Sequence, residues 1–378
     1  MFCILILNFL RMLEKELVAL LTLQKAKGVG DIIAKKLIAH CGSAENVFAE
    51  KKSILEKING IGSVTIKNLF DKENRIAADR EFDFIHKKKI SSVSFQEENY
   101  PFKLKQCIDA PILLFQDGNI NLENPRVISI VGTRKMTLYG RDFINQFIEE
   151  LVPYNPIIVS GFAYGVDITA QKAAINNNLQ TISILAHGLE TIYPKTHKKY
   201  IHQVNENGGF YTEFWHDEEP LREHFLKRNR IVAGISEATI IIESAKKGGS
   251  LVTAEIANSY SREVFAVPGK TTDILSIGCN NLIKRNKAGI LTNANDLIEM
   301  LNWDIDKEKP KTVQKQLFVD LNTEEQQVYN YLLNSGKRYM DSIALDNNIP
   351  VYRLATILFN MEMKSVVRPL PGKLFEVM

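Results

Sequence analysis

The sequence has few of the features that mark secreted, disulfide-bonded or zinc-binding proteins. Its four cysteines, Cys3, Cys41, Cys107 and Cys279, are scattered along 378 residues and form no C-x-x-C pair. A disulfide framework or a zinc site is therefore not expected, and a location in the reducing cytoplasm fits this cysteine usage best.

Long apolar runs are also missing. The apolar start, MFCILILNFLR, is about half of the ~20 residues that a membrane span needs. It has no basic region ahead of it and no small-residue cleavage site, so a secretory signal is not expected either. We interpret this stretch as sequence upstream of a true start at Met12, or as a first helical turn.

Common catalytic motifs are absent from the sequence. It contains no G-x-S-x-G, Walker A, H-E-x-x-H or G-x-G-x-x-G pattern. The histidines of the central region share no metal-ligand spacing. They are His187, His197, His202, His216 and His224. We therefore expect no metal, no cofactor and no enzymatic activity.

Charges of the two signs are nearly balanced. The formal net charge is +3, and the sequence pI is about 8.4. Residues 127–301 contain 18 Lys plus Arg and 18 Asp plus Glu. A nucleic-acid-binding surface would therefore have to come from the local arrangement of charges rather than from bulk charge.

The length predicts two or three domains. We expect a helical domain at residues 1–72, a main domain at 73–302 with its core at 127–301, a linker at 303–317 and a last domain at 318–378. The linker prediction follows from the charged, proline-bearing stretch WDIDKEKPKTVQKQ.

Two matching glycine pairs punctuate the N-terminal region. KAKGVGDIIAKKLIAHCG (Lys25–Gly42) and INGIGSVTIKNLF (Ile58–Phe70) each run Gly-apolar-Gly before a predicted helix. They resemble a tandem helix-hairpin-helix unit, in which such a turn lets backbone amides approach a DNA phosphate. Residues 12–72 hold 10 basic and 7 acidic residues. Both a DNA contact and a simple helical packing module stay open.

Strand-like and helical runs alternate from Val127 onward. The predicted strands are Val127–Gly132, Ile157–Gly161, Thr181–Leu185, Gly209–Phe214, Ala238–Ser244, Glu263–Gly269 and Gly289–Thr292. β-Branched strands that alternate with helices indicate parallel pairing with both faces covered. The predicted fold is α/β, an extended Rossmann-like, open and mostly parallel sheet. Two shorter runs, Ile90–Phe95 and Ile112–Gln116, are expected to form strands at the edge of this sheet.

The C-terminal region predicts three helices followed by a β-hairpin. This order resembles a winged helix. Residues 321–378 hold 6 basic and 6 acidic residues. We therefore favour a contact with another protein over duplex DNA binding for this region.

Four blocks rich in glycine or basic residues lie in the main domain. They are GTRKMTLYG (Gly132–Gly140), SGFAYGVD (Ser160–Asp167), FLKRNRIVAGIS (Phe225–Ser236) and ESAKKGGSLVTAEIA (Glu243–Ala257), the last followed by VFAVPGK. The carboxyl ends of parallel strands share one edge of a sheet, where backbone amides and helix N-termini bind anions. We expect the blocks to form a ligand surface there, with Asp167 capping the helix that it precedes.

These blocks, in this order and together with LAHGLETIYP, YTEF and GCNNLIK, resemble the DprA (Smf) family of DNA-processing proteins over about residues 127–301. The resemblance implies single-stranded DNA binding, homodimers, and loading of the recombinase RecA onto DNA during natural transformation. It also implies helix-hairpin-helix and winged-helix modules on either side of the core.

The resemblance further implies a set of DNA-binding residues. They are Gly132, Arg134, Ser160, Gly161, Gly165, Phe225, Arg228, Arg230 and Lys270. In this set the aromatic ring stacks on a base, the basic side chains hold phosphates, and the glycines and Ser160 mark positions of close backbone approach. Such contacts imply little sequence preference.

Two alternatives stay open. GGSLVTAE also resembles the glycine loop of Rossmann-like nucleoside-phosphate hydrolases, for which Glu243 or Glu255 would supply the acid. A scaffold whose DNA affinity is incidental is the other alternative. A single-stranded DNA binder is favoured over the hydrolase because DNA-type modules flank the core and the third glycine of the hydrolase loop is missing.

Overall fold

The computed structural model describes residues 2–303, 321–364, 366–370 and 372–377, and the side chains from Met12 onward. The chain divides into two compact units, Met1–Asp304 and Ile305–Met378. The predicted linker lies outside the described residues except for Trp303, whose side chain is buried in the first unit. The domain boundaries drawn from the sequence stay a prediction.

Residues 2–88 form helices only. They are α1 (Phe2–Lys25), α2 (Asp31–Cys41), α3 (Ala44–Ala49), α4 (Lys52–Leu55), α5 (Ser63–Leu69) and α6 (Lys72–Lys88). The two glycine turns share one geometry: Gly28 and Gly60 adopt φ of 85° and 88°. Gly30 and Gly62 then precede α2 and α5, with no side-chain cap on either helix. None of the described helices combines the length and apolarity that crossing a membrane requires.

The apolar faces of these helices form one core with the edge of the sheet. Leu21, Leu37 and Leu69 are fully buried in this core. Phe115 and Trp215, from the sheet region, are buried in the same cluster. Burying an apolar side chain of this size stabilises a fold by about 1.5–3 kcal/mol. The helices are thus packed onto the rest of the first unit.

A nine-stranded sheet with helices on both faces makes up the rest of the first unit. Its strands are β1 (Ser91–Ser94), β2 (Leu113–Gly118), β3 (Val127–Val131), β4 (Ile157–Ser160), β5 (Thr181–Ile184), β6 (Gly208–Thr212), β7 (Ala238–Ile241), β8 (Glu263–Ala266) and β9 (Gly289–Ile290). The helices among them are α7 (Phe102–Lys105), α8 (Leu138–Leu151), α9 (Val166–Asn176), α10 (Ile201–Glu206), α11 (Arg222–Ile235), α12 (Gly249–Ser259), α13 (Ile277–Lys284) and α14 (Ala294–Met300).

The sheet order is β1-β2-β6-β5-β4-β3-β7-β8-β9. All neighbours from β6 to β9 pair in parallel, whereas β2 pairs antiparallel with both β1 and β6. This confirms the predicted α/β fold with a largely parallel sheet. The two runs expected to feed its edge form β1 and β2.

Strand β3 lies inside the sheet, next to its middle strand, and the position of β3 creates a crevice. Its sequence VISIV is buried along its whole length because helices cover both faces. It pairs with β4 on one side and with β7 on the other. The chain therefore leaves the carboxyl end of β3 toward one side and returns on the other. Such a reversal of strand order opens a crevice beyond the strand ends.

The second unit contains three helices and a small sheet within its described residues. They are α15 (Thr323–Ser335), β10 (Arg338–Tyr339), α16 (Met340–Asp346), α17 (Val351–Met363), β11 (Val367–Leu370) and β12 (Leu374–Val377). The strands pair in the antiparallel order β10-β12-β11. Asn322 and Glu325 form a reciprocal capping box at the start of α15. That this unit is a winged helix stays a prediction.

Candidate functional site

A cavity of about 290 Å³ lies beyond the carboxyl ends of β3, β4 and β7, at the crevice. The loop after each of these strands lines it, together with one face of α11 and the start of α12. Five of the nine predicted site residues line this cavity: Gly132, Arg134, Gly161, Phe225 and Arg228. The other four, Ser160, Gly165, Arg230 and Lys270, lie outside it.

Arg134 and Phe225 form the exposed part of the site. The guanidinium carbon of Arg134 lies 5.2 Å from the centre of the Phe225 ring, within the range of a cation–π contact. The ring of Tyr193 packs against Phe225 edge to face, with the ring centres 5.6 Å apart. The loop that carries Arg134 is anchored by Thr133, whose amide donates to the carbonyl oxygen of Glu243 (2.8 Å). An exposed guanidinium thus lies beside a half-buried aromatic ring.

Arg228 forms the wall of the cavity. Its side chain is buried, and Nη1 donates to the carbonyl oxygens of Gly161 (2.9 Å) and Ile184. Burial lowers the pKa of this guanidinium to about 10, although the nearby Asp167 carboxylate opposes the shift. Within the described residues, its Nε has no hydrogen-bond partner. The hydrogen bonds of Arg228 therefore join the ends of β4 and β5.

Asp167 lies next to Arg228 beneath the cavity. Burial raises the pKa of this carboxyl, and Arg228 and the Ala163 amide (3.3 Å) counteract the rise. The expectation that Asp167 caps α9 is wrong. The residue before this helix is Gly165, which makes no side-chain cap, and the Asp167 carboxylate binds the preceding loop instead.

Contacts within the protein explain the three predicted glycines. A Cβ atom on Gly132 would lie 2.6 Å from Val166, and one on Gly161 would lie 2.5 Å from the Arg228 guanidinium. Gly165 adopts a φ of +77°, and a Cβ there would lie 2.3 Å from the carbonyl oxygen of Thr133. Close packing under the cavity is sufficient to require glycine at all three positions.

Arg230 contacts the opposite side of α11 from Arg228. Its guanidinium bonds Glu213 at 2.5 Å and Asp31 of α2 at 3.1 Å, and it also donates to the carbonyl oxygen of Asp109. The physical reason is helix geometry, because side chains two positions apart differ by about 200° around the axis. The charge of Arg230 is thus neutralised inside the protein, away from the cavity.

Ser160 and Lys270 also lie apart from the cavity. Ser160 is fully buried, and its hydroxyl donates to the carbonyl oxygen of Ile130 (2.6 Å), which ties β4 to β3. Lys270 is exposed in the loop after β8, which is held by the Tyr139 hydroxyl through the carbonyl oxygen of Pro268 (2.8 Å). Lys270 is therefore free to approach a long ligand but not one confined to the cavity.

The start of α12 belongs to the predicted block Glu243–Ala257, although the list of predicted DNA-binding residues includes none of its members. Gly248, Gly249 and Ser250 line the cavity, and the helix has no side-chain cap. The amide groups at an uncapped helix start attract anions. A Cβ on Gly249 would meet no atom within 4 Å, so the wall is open at this point. Lys247, from the same block, lines the cavity too; its place beside the Gly-Gly pair was the signal that could have identified it.

The acids proposed for a hydrolase lie elsewhere. Glu243 is buried, and its carboxylate accepts hydrogen bonds from the amide (2.9 Å) and hydroxyl of Thr137 at the start of α8. Glu255 is exposed and pairs with Lys287 at 3.5 Å. Among the described residues that line the cavity, Asp167 is the acidic one. The described residues also include no cluster of three or more His, Cys, Asp and Glu side chains suited to a metal.

Comparison with known proteins identifies relatives of the chain. The family that matches residues 91–302 is DNA recombination-mediator protein A. The DNA processing protein DprA of Streptococcus pneumoniae is 36% identical over 210 residues, which cover 56% of this chain and 74% of that protein. The X-ray structure of DNA processing protein A from the same species has a TM-score of 0.64 at 32% identity and covers 74% of this chain and 95% of that one.

A second solved structure concerns the single-stranded DNA binding mode of DNA processing protein A from Helicobacter pylori. It has a TM-score of 0.52 and 32% sequence identity. The match covers 57% of this chain and 97% of that one.

Proposed function

The chain belongs to the DNA recombination-mediator protein A family, and we propose that it binds single-stranded DNA at the cavity beyond β3, β4 and β7. The observation that carries this proposal is the pairing of the Arg134 guanidinium with the Phe225 ring, 5.2 Å apart, at the mouth of that cavity. The Helicobacter pylori relative is associated with single-stranded DNA binding, which supports the same ligand here.

The proposed contacts are of two kinds. Phosphates are held by Arg134 and Lys247 and by the uncapped start of α12, whose amides line the cavity. Unstacked bases pack on Phe225, a contact that is worth about 1–3 kcal/mol per base. Neither kind of contact depends on which base is bound, so the sequence preference is slight.

The remaining predicted residues support this site indirectly. Arg228 holds the ends of β4 and β5 in place, and its guanidinium group adds positive charge to the wall of the cavity. Arg230 fixes α11 to Glu213 and Asp31 on the far side of the helix. Lys270 contacts the strand outside the cavity. Gly132, Ser160, Gly161 and Gly165 shape the floor through close packing.

We further propose that the protein acts as a homodimer in the cytoplasm and loads RecA onto the bound strand, in natural transformation and recombination. The homodimer and the loading of RecA follow from the family resemblance of the ordered motif blocks, and the cytoplasmic location follows from the scattered cysteines. The first 72 residues act as a helix-hairpin-helix module. The turn at Gly60 and Gly62 is exposed, which suits a phosphate contact, whereas Asp31 after the first turn is bonded to Arg230. Residues 318–378 act as a winged helix that contacts protein.

Binding of single strands against duplexes tests the proposal. We expect the wild-type protein to shift a single-stranded oligonucleotide at lower protein concentration than the matching duplex. Arg134→Ala should weaken this binding, and its salt slope should be smaller by about 0.7 for each phosphate that is no longer neutralised. Arg285→Ala is the matched control, because Arg285 is exposed at the end of α13. The proposal would be refuted if the wild-type protein did not bind single strands at low salt.

The alternative activity, hydrolysis of a nucleoside monophosphate, has its own test. Purified protein is incubated with nucleoside monophosphates, and released base is followed by chromatography. We expect no turnover, because Glu243 caps α8 and Glu255 pairs with Lys287 outside the cavity. Turnover that Glu255→Gln abolishes would establish the enzyme instead.

A further inference from the structure

A basic and aromatic surface borders the cavity on the α9 side. It consists of Tyr164, Lys172, Lys198, Lys199 and Tyr200, and we call it the lysine–tyrosine surface. Lys198, Lys199 and Tyr200 belong to a 3₁₀-helix (Lys195–Tyr200) ahead of α10. Lys172 lies on α9, and Tyr164 lies on the loop that leads into α9.

The lysine–tyrosine surface is physically continuous with the cavity. The ring of Tyr193, just before the 3₁₀-helix, contacts Phe225 at 5.6 Å. On the other side, Ala163 lines the cavity and the next residue, Tyr164, is hydrogen-bonded to the hydroxyl of Thr196 in the 3₁₀-helix (3.1 Å). A chain that leaves the cavity at Phe225 therefore meets this surface next.

A buried histidine fixes the surface in one shape. Nδ1 of His197 is hydrogen-bonded to the carbonyl oxygen of Phe162 (3.0 Å) on the β4–α9 loop. The His197 ring packs edge to face against Tyr164 at 5.0 Å and against Tyr200 at 5.8 Å. Both tyrosine rings are thus held by one side chain that is itself 4% exposed. A surface held in this way loses little conformational entropy on binding.

The surface carries three lysines, which supply its positive charge. Within the described residues, no carboxylate lies within ion-pair distance of the amines of Lys172, Lys198 or Lys199. Glu206 lines a surface depression together with Lys198, and its carboxylate lies 3.0 Å from Nδ1 of His202. Three unpaired ammonium groups on one surface attract a polyanion.

The aromatic rings identify the kind of polyanion. The amines of Lys199 and Lys172 lie over the Tyr200 ring, at 5.1 Å and 5.4 Å from its centre. Tyr164 is 42% exposed. Aromatic rings among basic side chains suit unpaired bases on a phosphate backbone, whereas a duplex keeps its base faces stacked inside. An acidic peptide would use the charges but has no planar bases to stack on Tyr164.

We propose that a single strand bound in the cavity continues over the lysine–tyrosine surface, which lengthens the binding site and sets the direction in which the strand leaves. This inference rests on the proposed function. Phosphates contact Lys172, Lys198 and Lys199, and a base stacks on Tyr164. The affinity of the protein should consequently rise with strand length beyond the few nucleotides that the cavity accepts.

The test compares two strand lengths with fluorescein-labelled oligothymidylate and fluorescence anisotropy. A strand of about 6 nucleotides is short enough to be held mainly at the cavity, whereas one of about 25 nucleotides also covers the surface. Lys198→Gln/Lys199→Gln should bind the short strand as the wild type does. It should bind the long strand roughly 5- to 25-fold more weakly at 0.1 M salt, because each phosphate that the lysines no longer hold is worth about fivefold there. Lys284→Gln, at an exposed lysine on α13, is the single-charge control.

Further variants separate the outcomes. Tyr164→Leu should weaken the binding of the long strand only. Its affinity for a duplex or for an acidic peptide should equal that of the wild type. An equal loss with both lengths, or no loss with the long strand, overturns the inference and leaves the cavity proposal intact. A wild-type protein that binds neither length refutes the proposed function itself. Selective loss of acidic-peptide binding in the lysine variant would identify a protein partner instead.

Discussion

Arg228 and Arg230 lie two positions apart on α11, and their guanidinium groups contact opposite sides of that helix. Arg228 donates to the carbonyl oxygen of Gly161 (2.9 Å) under the cavity. Arg230 bonds Glu213 (2.5 Å) in the sheet region and Asp31 (3.1 Å) in the N-terminal helices. One helix therefore connects the candidate DNA site to the contact that holds the N-terminal helices. Replacing the two arginines should consequently affect different properties of the protein.

Replacement of Arg230 should cost stability rather than DNA binding. Arg230→Met leaves the Asp31 carboxylate buried without its cation and leaves Glu213 with Lys227 alone (2.9 Å), which we expect to lower the free energy of unfolding by about 3 kcal/mol. Urea denaturation followed by tryptophan fluorescence measures this change. Arg134→Ala should show the reverse pattern, with normal stability and weakened binding. A stable Arg230→Met protein that has lost single-strand binding would contradict this assignment.

Gly161 should not tolerate a side chain. In Gly161→Ala the new methyl group would lie 2.5 Å from the Arg228 guanidinium and 2.6 Å from the Asp167 carboxylate. Overpacking of this kind costs about 1–3 kcal/mol, which lowers the thermal midpoint. Gly249→Ala is the matched control, since a Cβ there meets nothing within 4 Å. Equal midpoints for the two variants would show that the packing around Gly161 relaxes freely.

The sequence predicts the parallel sheet and the neighbourhood of the site for a definite reason. Buried strands such as VISIV read as continuous apolar runs, and a glycine after each strand marks the edge where the loops meet. That Arg134 and Gly161 line one cavity follows from this pattern, whereas the place of Phe225 on α11 was expected from the family resemblance alone.

The roles within the basic run LKRNR could not be predicted in the same way. Which of its arginines faces the cavity depends on the rotation of α11 about its axis. That rotation is set by partners far along the chain, such as Asp31, which lies in α2. The same limit applies to Glu243, whose carboxylate binds Thr137 at the start of α8. Local sequence carries no signal for contacts of this length.

His197 should make the stability of the first unit depend on pH. Burial lowers its pKa below the ordinary 6.5. Between these two values the unfolded chain binds more protons than the folded one, so the free energy of unfolding rises with pH there. The contribution is complete above pH 6.5 and is lost as pH falls through the lowered pKa.

His197→Gln keeps a donor for the carbonyl oxygen of Phe162 but cannot be protonated. We expect its urea midpoint to fall less than that of the wild type when pH is lowered from about 7.5 to about 5. His187 is also buried with a lowered pKa, so part of the pH dependence should persist in the variant. Parallel midpoint curves for the two proteins would exclude His197 as a source.

The Phe225 ring should contribute to affinity by stacking and not only by its bulk. Phe225→Leu keeps an apolar side chain against Tyr193 but removes the aromatic ring that lies beside the Arg134 guanidinium. We expect single-strand binding to weaken roughly 5- to 150-fold, the equivalent of the 1–3 kcal/mol of one stacked base, while Phe225→Tyr binds nearly as the wild type does. Fluorescence anisotropy with a short labelled strand measures both. Phe102→Leu is the matched control, because that ring is 75% exposed and lies on α7, outside the cavity. If Phe225→Leu and Phe102→Leu bind alike, the aromatic face carries no binding energy and the strand is held by its phosphates alone.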